Sequence, residues 1–244
     1  MIHSSEATRI RAEYSRRAAE LPSDFYRWNR PVNLFFHTQT LRACIRALVE
    51  EGQFPLGGRN ALDVGCGSGI WLAEYAQWGT ELTDLCGIDL SEDRLGEAKR
   101  LLPGADLRTG DACELPWPAE FFSFVTQFTM FTSILDASVK RQIASEMLRV
   151  LKPDGTLVWY DFRYNNPCNP NVRGIEAAEI KSLFPGCAIR LKKMTLAPPI
   201  ARRVVPVSWV AALILEKVPI LRTHYLGVIR KLQGRRDIER GITN

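Results

Sequence analysis

The chain has 244 residues, 46% of them hydrophobic and 24% charged, with a formal net charge of +5 and a pI near 9.0. The length suits one α/β domain with some decoration, or less comfortably two small ones, and the composition is ordinary for a globular chain, so disorder is not the default. The basic residues are scattered, and the pairs Arg202-Arg203 and Arg235-Arg236 read as solvated surface, so the charge does not single out nucleic acid.

The N-terminus, Met1 to Arg17, is polar and reads as no secretory signal. Glu6 to Glu20 has helical composition, and Pro22 to Asp24 breaks it. An aromatic stretch follows, Phe25-Tyr26-Arg27-Trp28-Asn29 and then Leu34-Phe35-Phe36. Leu41, Cys44, Ile45 and Leu48 then recur at helical spacing. From residue 60 the pattern alternates. Strands are predicted at 61–64, 85–90, 105–109, 121–128 and 156–161. Helices are predicted at 70–78, after a Ser91 cap, and at 138–151. Lys152-Pro153-Asp154-Gly155 reads as a turn, and Asn165 to Pro170 as a loop. A helix at 175–184, a strand at 188–196 and a final strand at 224–230 complete the pattern. Strand–helix alternation predicts a parallel sheet covered on both faces.

Six cysteines, at 44, 66, 86, 113, 168 and 187, form no CxxC pair. A disulfide scaffold and a zinc site are both disfavoured, and reduced thiols in a cytoplasmic protein are expected, with no metal. The apolar run Val204 to Leu215 is too short to span a bilayer and is interrupted by Pro206.

The first strand runs into Gly65-Cys66-Gly67-Ser68-Gly69, and a helix follows. Glycines there let the backbone turn tightly and approach a ligand. Asp89 closes the second strand twenty residues beyond Gly69, where a carboxylate can take both hydroxyls of a ribose. Asp111, after Gly110, can accept from an adenine amino group. The spacing GxGxG is not the dinucleotide GxGxxG, and no Gly-Lys-Ser/Thr follows. Asp63 before the loop would repel a pyrophosphate and suits an ammonium or sulfonium.

Ala-Leu-Asp-Val-Gly-Cys-Gly-Ser-Gly (61–69), Gly-Ile-Asp-Leu-Ser (87–91), Gly-Asp-Ala (110–112) and Arg-Val-Leu-Lys-Pro-Asp-Gly (149–155) stand in order. Together they resemble the successive motifs of class I S-adenosylmethionine-dependent methyltransferases, nearest to the ubiquinone/menaquinone-biosynthesis branch. The resemblance covers about residues 58 to 160. It implies a Rossmann-like, seven-stranded, mostly parallel sheet with helices on both faces and the last strand antiparallel. It implies S-adenosyl-L-methionine as cofactor, released as S-adenosyl-L-homocysteine. Asp63 and the loop Gly65, Cys66, Gly67, Ser68 and Gly69 would meet the methionine part. Asp89 and Leu90 would meet the ribose, and Asp111 with Ala112 the adenine. Gln127 and Phe128 would flank the methyl group. One departure is Phe122-Ser123, where the family often has Phe-Asp. Residues 1–50 would form a helical lid over a domain at 51–244, with an apolar insertion at about 197–222.

Methyl transfer is an in-line displacement at an already activated carbon, so alignment and exclusion of water dominate. An oxygen acceptor needs a base. Tyr160 and Asp161, at the end of the fifth strand, and His37, beside the aromatic stretch, are the candidates; His3 and His224 read as structural. The expected acceptor is a small apolar or aromatic molecule methylated on O or N. Adenine-specific nucleic-acid enzymes carry Asn/Asp-Pro-Pro-Tyr/Phe after the fourth strand, and Gln127-Phe128-Thr129-Met130 stands there instead. A nucleic-acid or protein methyltransferase, or a non-catalytic cofactor-binding domain, are the alternatives. The segment from Val204 to Leu221 has three readings: cover for the sheet, wall of an apolar pocket, or a peripheral contact with a membrane surface.

Overall fold

The computed structural model describes residues 2–20, 22, 25, 29–167 and 169–232, without the side chains of residues 2–4 and 18. Tyr26, Trp28, Cys168 and Arg235-Arg236 lie outside the described residues.

Seven strands form one sheet: β1 (Ala61–Val64), β2 (Leu85–Asp89), β3 (Asp106–Thr109), β4 (Phe122–Phe128), β5 (Leu151–Phe162), β6 (Cys187–Leu196) and β7 (Arg222–Lys231). Their order is β3-β2-β1-β4-β5-β7-β6. β1 pairs in parallel with β2 and with β4, and β4 with β5, whereas β7 runs antiparallel to both β5 and β6. The sequence reading of a mostly parallel seven-stranded sheet with the last strand antiparallel holds. The strand order reverses between β1 and β4, and a ligand crevice opens beyond the carboxyl ends of strands at such a point.

Eight helices surround the sheet among the described residues: α1 (Ile2–Glu20), α2 (Pro31–Glu50), α3 (Ile70–Gln77), α4 (Glu92–Leu101), α5 (Ala137–Val150), α6 (Ala177–Leu183), α7 (Pro198–Val204) and α8 (Trp209–Glu216). Strand side chains alternate faces. Leu62, Val64, Leu157 and Trp159 pack toward α1, α5 and α6, with Ile10, Val139, Ile143, Met147 and Ile180. Ala61, Val158 and Tyr160 pack toward α2, α3 and α4, with Cys44, Leu48, Leu72, Tyr75 and Leu95. The two cores give the parallel strands their unbroken apolar character.

Local chemistry sets the boundaries. Ser91 caps α4 by accepting from Arg94 N at 3.4 Å, and Asp136 caps α5 by accepting from Ser138 N and Val139 N. Pro31 begins α2, so Leu34, Phe35 and Phe36 lie inside the helix whose spacing the sequence shows only from Leu41. The expected turn Lys152-Pro153-Asp154-Gly155 is instead part of β5. Leu151 pairs with Phe122 and Thr156 with Phe124, so the four residues between them swell into a bulge.

The apolar segment after Ala197 folds as α7, α8 and a 3-10 turn, Pro219–Leu221. Ala201, Val205 and Ala212 pack on Phe35 of α2 and Leu196 of β6. Among the described residues no helix is long and apolar enough to cross a membrane. The five described cysteines, 44, 66, 86, 113 and 187, are free and buried.

Candidate functional site

The glycine loop takes its shape from backbone bonds to the neighbouring strand. Gly65 N and Cys66 N both donate to Ile88 O, at 2.8 and 3.1 Å, and Gly69 N donates to Cys66 O at 3.0 Å. Gly65, Gly67 and Gly69 all have positive φ, at 77°, 53° and 79°. A side chain at Gly65 would also meet Met130 at 3.0 Å, and one at Gly67 would overlap the Arg94 guanidinium. The positive φ angles are what require glycine here, since the Arg94 and Met130 side chains could shift.

Asp89 holds the loop from the next strand. Its Oδ2 accepts from Gly67 N at 2.8 Å and its Oδ1 from Ser91 N at 2.9 Å. A carboxylate has about four acceptor positions, so two such bonds leave capacity on each oxygen. Asp111 accepts from Cys113 N at 2.9 Å, which fixes the turn after β3. Asp63 is buried on the other side of the loop. Tyr75 Oη donates to Thr126 Oγ1 at 2.8 Å, and Thr126 Oγ1 donates to Asp63 Oδ1 at 2.8 Å. Burial pushes the Asp63 carboxyl up to about 7, against the opposing pull of the Thr126 hydroxyl.

These elements border a cleft that opens to solvent. Gly65, Asp89, Leu90, Asp111, Ala112 and Phe128 of the sequence-derived set stand on its wall. Cys66, Gly67, Ser68 and Gly69 shape the loop behind that wall. Gln127 is buried, donating to Tyr160 O at 3.4 Å and accepting from Met130 N at 3.2 Å, and so sets the turn after β4. Thr129, in that turn, has φ 55° and donates its N–H to Tyr160 O at 2.8 Å. A non-glycine residue in this region is strained, and such strain gathers where a wall must be aimed.

Sequence reasoning missed much of the wall. Glu6, Ala7 and Ile10 of α1, Arg94 of α4, and Met130, Ser133, Ile134, Val139 and Ile143 all face the cleft. Tyr14, within the lid expected from residues 1–50, faces it too. The helix α1 is latched across it. Glu6 accepts from Leu135 N at 2.6 Å, Arg9 donates to Ser133 O, and Arg11 donates to Leu90 O at 3.3 Å. Arg9 also holds the Glu6 carboxyl below the usual carboxylate range. Glu13 accepts from Asn171 Nδ2 at 2.8 Å, and the Arg94 guanidinium lies 5.5 Å over the Tyr14 ring. The i, i+3, i+7 spacing of Ala7, Ile10 and Tyr14 was the available signal for an inward face.

The three catalytic candidates separate in space. Tyr160 is buried on the α2 side, its hydroxyl 2.8 Å from Thr195 Oγ1 and its ring stacked on His224 at 4.8 Å. Asp161 points to the opposite core. It accepts from Thr132 Oγ1 at 2.8 Å and Thr132 N at 3.1 Å, and burial raises its carboxyl to about 6. Neither stands on the cleft wall. His37 Nε2 lies 2.7 Å from Glu74 Oε1, and its ring lies against Trp71, which stacks on Phe128 at 3.9 Å. His37 is thus linked to the cleft through two aromatic rings. His224 is buried, and desolvation pushes its imidazole down to about 3, so it is neutral. Among the described residues no cluster of His, Cys, Asp or Glu could hold a metal ion.

A crevice at the switch point, a GxGxG loop braced by a strand-end aspartate and a second aspartate after β3 define a class. The chain carries a class I S-adenosylmethionine-dependent methyltransferase domain. Residues 61–155 match the family described as Methyltransferase domain. The demethylmenaquinone methyltransferase of Listeria welshimeri is 34% identical over 122 residues, 48% of each chain. That of Lysinibacillus sphaericus is 36% identical over 104 residues, 41% of this chain and 43% of its own. The chain spans about half the length of the curated relatives it matches. Among solved structures, an S-adenosylmethionine-dependent methyltransferase from Mesorhizobium loti superposes with a TM-score of 0.57 at 18% identity, over 79% of this chain and 96% of that one. Magnesium protoporphyrin IX methyltransferase from Synechocystis, with bound S-adenosylhomocysteine, gives 0.56 at 16% identity, over 89% and 93%. At these identities the likeness is one of fold.

Proposed function

We propose that the protein transfers the methyl group of S-adenosylmethionine to an oxygen or nitrogen of a small apolar or aromatic molecule. The observation that carries this reading is the cleft itself. Asp89, Asp111 and Gly65 border it at the strand ends, and Phe128, Met130, Ile10, Ile134 and Ile143 supply an apolar lining. Bound there, the cofactor brings a methyl group already activated by its sulfonium. The residues of the chain then bind, orient and exclude water. Asp89 takes the ribose hydroxyls, Asp111 the adenine amino group, and the glycine loop the methionine part. The helix α1, latched by Glu6 and Arg9, is the lid that keeps water out.

The acceptor reading rests on the lining and on the relatives. The relatives are named as demethylmenaquinone methyltransferases, and an apolar ring compound suits a wall of Phe128 and Met130. For an oxygen acceptor the His37–Glu74 pair is the candidate base, since Glu74 orients the imidazole and the ring lies against Trp71, which stacks on Phe128 of the cleft wall. The buried hydrogen bonds of Tyr160 and Asp161 suit a role in positioning the turn at Thr129–Ser133.

Calorimetric titration with S-adenosylmethionine, its demethylated product and NAD tests the cofactor. The expected result is micromolar binding of both sulfur ligands and none of NAD. A protein that bound neither sulfur ligand would sink the proposal. Transfer of labelled methyl to reduced quinones, compared with RNA and with a bulk protein substrate, then tests the acceptor class.

A further inference from the structure

The helix α8 has the sequence Trp-Val-Ala-Ala-Leu-Ile-Leu-Glu and is apolar almost all round, yet it lies at the surface. One side is accounted for: Ala212 packs on Phe35, and Trp209 meets the Phe35 ring edge-on at 5.5 Å. The other side faces solvent. Val207 is 86% exposed, Val210 65%, Ile214 59% and Ile220 78%. Val210 and Ile214 lie one turn apart on α8, with Val207 in the turn before it and Ile220 in the 3-10 turn after it, and a surface helix normally turns a polar face outward. Contiguous apolar exposure of this kind marks a contact with something else.

The charges around the stripe say what that something is. Between Ala197 and Thr223 the basic residues are Arg202, Arg203, Lys217 and Arg222, and the first three are exposed. The single acidic residue there, Glu216, is turned inward, where it accepts from Thr195 N at 3.1 Å, and burial raises its carboxyl above the usual range. We infer that α7, α8 and the following turn form a docking face for an anionic lipid bilayer. Val207, Val210, Ile214 and Ile220 enter the acyl boundary, and Arg202, Arg203 and Lys217 lie at the headgroups. A helix of eight residues lies in the plane of the interface and does not cross it. A second copy of the chain is a poorer occupant, because a two-fold contact would set this basic rim against itself. The docking face does not rest on the proposed function.

Co-sedimentation with vesicles decides it. One set contains equal parts phosphatidylglycerol and phosphatidylcholine, the other phosphatidylcholine alone. The wild type is expected to sediment with the anionic vesicles at low salt and to release as salt rises. Two exposed-site variants, V210E/I214E and R202E/R203E, should each bind at least about tenfold more weakly, given roughly fivefold per basic charge at such a surface. Unchanged melting temperature and unchanged S-adenosylmethionine binding in both variants would show that the fold and cofactor site are intact. Tryptophan emission should shift to the blue on the anionic vesicles in the wild type but not in V210E/I214E. Failure of the wild type to bind anionic vesicles overturns the proposal, as does equal binding by the variants. A wild-type dimer at micromolar concentration that V210E/I214E dissolves also overturns it, since the occupant is then a second copy. Methyltransferase activity can fail on its own in these assays, so the two readings are separable.

Discussion

Replacing Asp63 with asparagine separates what this carboxylate costs the fold from what it gives the site. Burial lifts its carboxyl from an ordinary 3.8 to about 7. Between those values the unfolded chain has released a proton that the native protein still holds. Native stability therefore falls as pH rises from about 4 to about 7. At about 1.4 kcal/mol for each pH unit, the ionised carboxylate withdraws about 4 kcal/mol by pH 8. Asparagine keeps the shape and can still accept from Thr126 Oγ1, but it has no proton to lose. Its buried amide N–H group needs a partner and returns about 1–2 kcal/mol of the gain. The net expectation at pH 8 is a variant more stable by about 2–3 kcal/mol. Near pH 4 the advantage disappears. Urea unfolding of both proteins at pH 5, 6, 7 and 8, followed by tryptophan fluorescence, reads the difference directly, because every other titrating group cancels. A difference that does not grow with pH would refute the reasoning. In the same variant S-adenosylmethionine binding should weaken about tenfold or more, since a negative charge beside the loop is lost. Stability gained where function is lost is the expected sign of a site residue.

Three further expectations follow from the geometry. Asp89→Ala should weaken S-adenosylmethionine binding by about 1.5–3 kcal/mol in calorimetry, through loss of charge-assisted bonds and of the brace on Gly67 N; equal affinity would mean that the ribose lies elsewhere. Tyr160→Phe leaves Thr195 without its 2.8 Å partner and should cost about 1 kcal/mol in urea unfolding while kcat is unchanged; a large fall in kcat would give the phenol a chemical role. His224→Phe should keep the ring stack on Tyr160 and flatten the acid limb of stability. The native imidazole refuses a proton down to about 3, whereas the unfolded one takes it below about 6.5, so stability is lost as pH falls through that window. Wild type and variant compared at pH 4 and pH 7 should diverge only at the lower pH, and parallel curves would count against a neutral buried histidine.

The sheet was legible because its strands are short apolar runs with a turn signal at each end. Ala61–Val64 and Leu85–Asp89 needed nothing more. The loop was legible because glycine at positive φ leaves a mark in sequence that few other features leave. The far wall of the cleft left only the weaker mark of helical spacing at Ala7, Ile10 and Tyr14. Glu6, Ile10 and Tyr14 are distant in sequence from Leu135 and Leu90, and only tertiary contact brings them together. Arg94 reads as an ordinary exposed helix residue until Gly67 is placed against it. The bulge at Lys152–Gly155 shows a competing rule at work. Pro-Asp-Gly favours a turn, but Leu151 already pairs with Phe122, so the ladder continues around it. Pro31 was a start signal for α2 that the neighbouring aromatics obscured. The candidates Tyr160 and Asp161 stood at a strand end, yet alternate side chains of a strand face opposite cores, and both are spent on packing.

The latch of α1 has a consequence for how this cover can change. Arg9, Arg11 and Glu6 reach Ser133 O, Leu90 O and Leu135 N, which are main-chain groups present whatever side chains occupy those positions. All the specific chemistry of those three bonds is written on the helix, and the body offers only its backbone. Substitutions at 90, 133 and 135 can accumulate without unseating the helix, while Ala7, Ile10 and Tyr14 remain free to vary the lining. The cover is in this sense a cartridge: its fit to the body and its fit to a ligand are encoded in one short stretch. Exchanging residues 5–17 between homologues sharing that seat would exchange the ceiling of the cleft without rebuilding its floor.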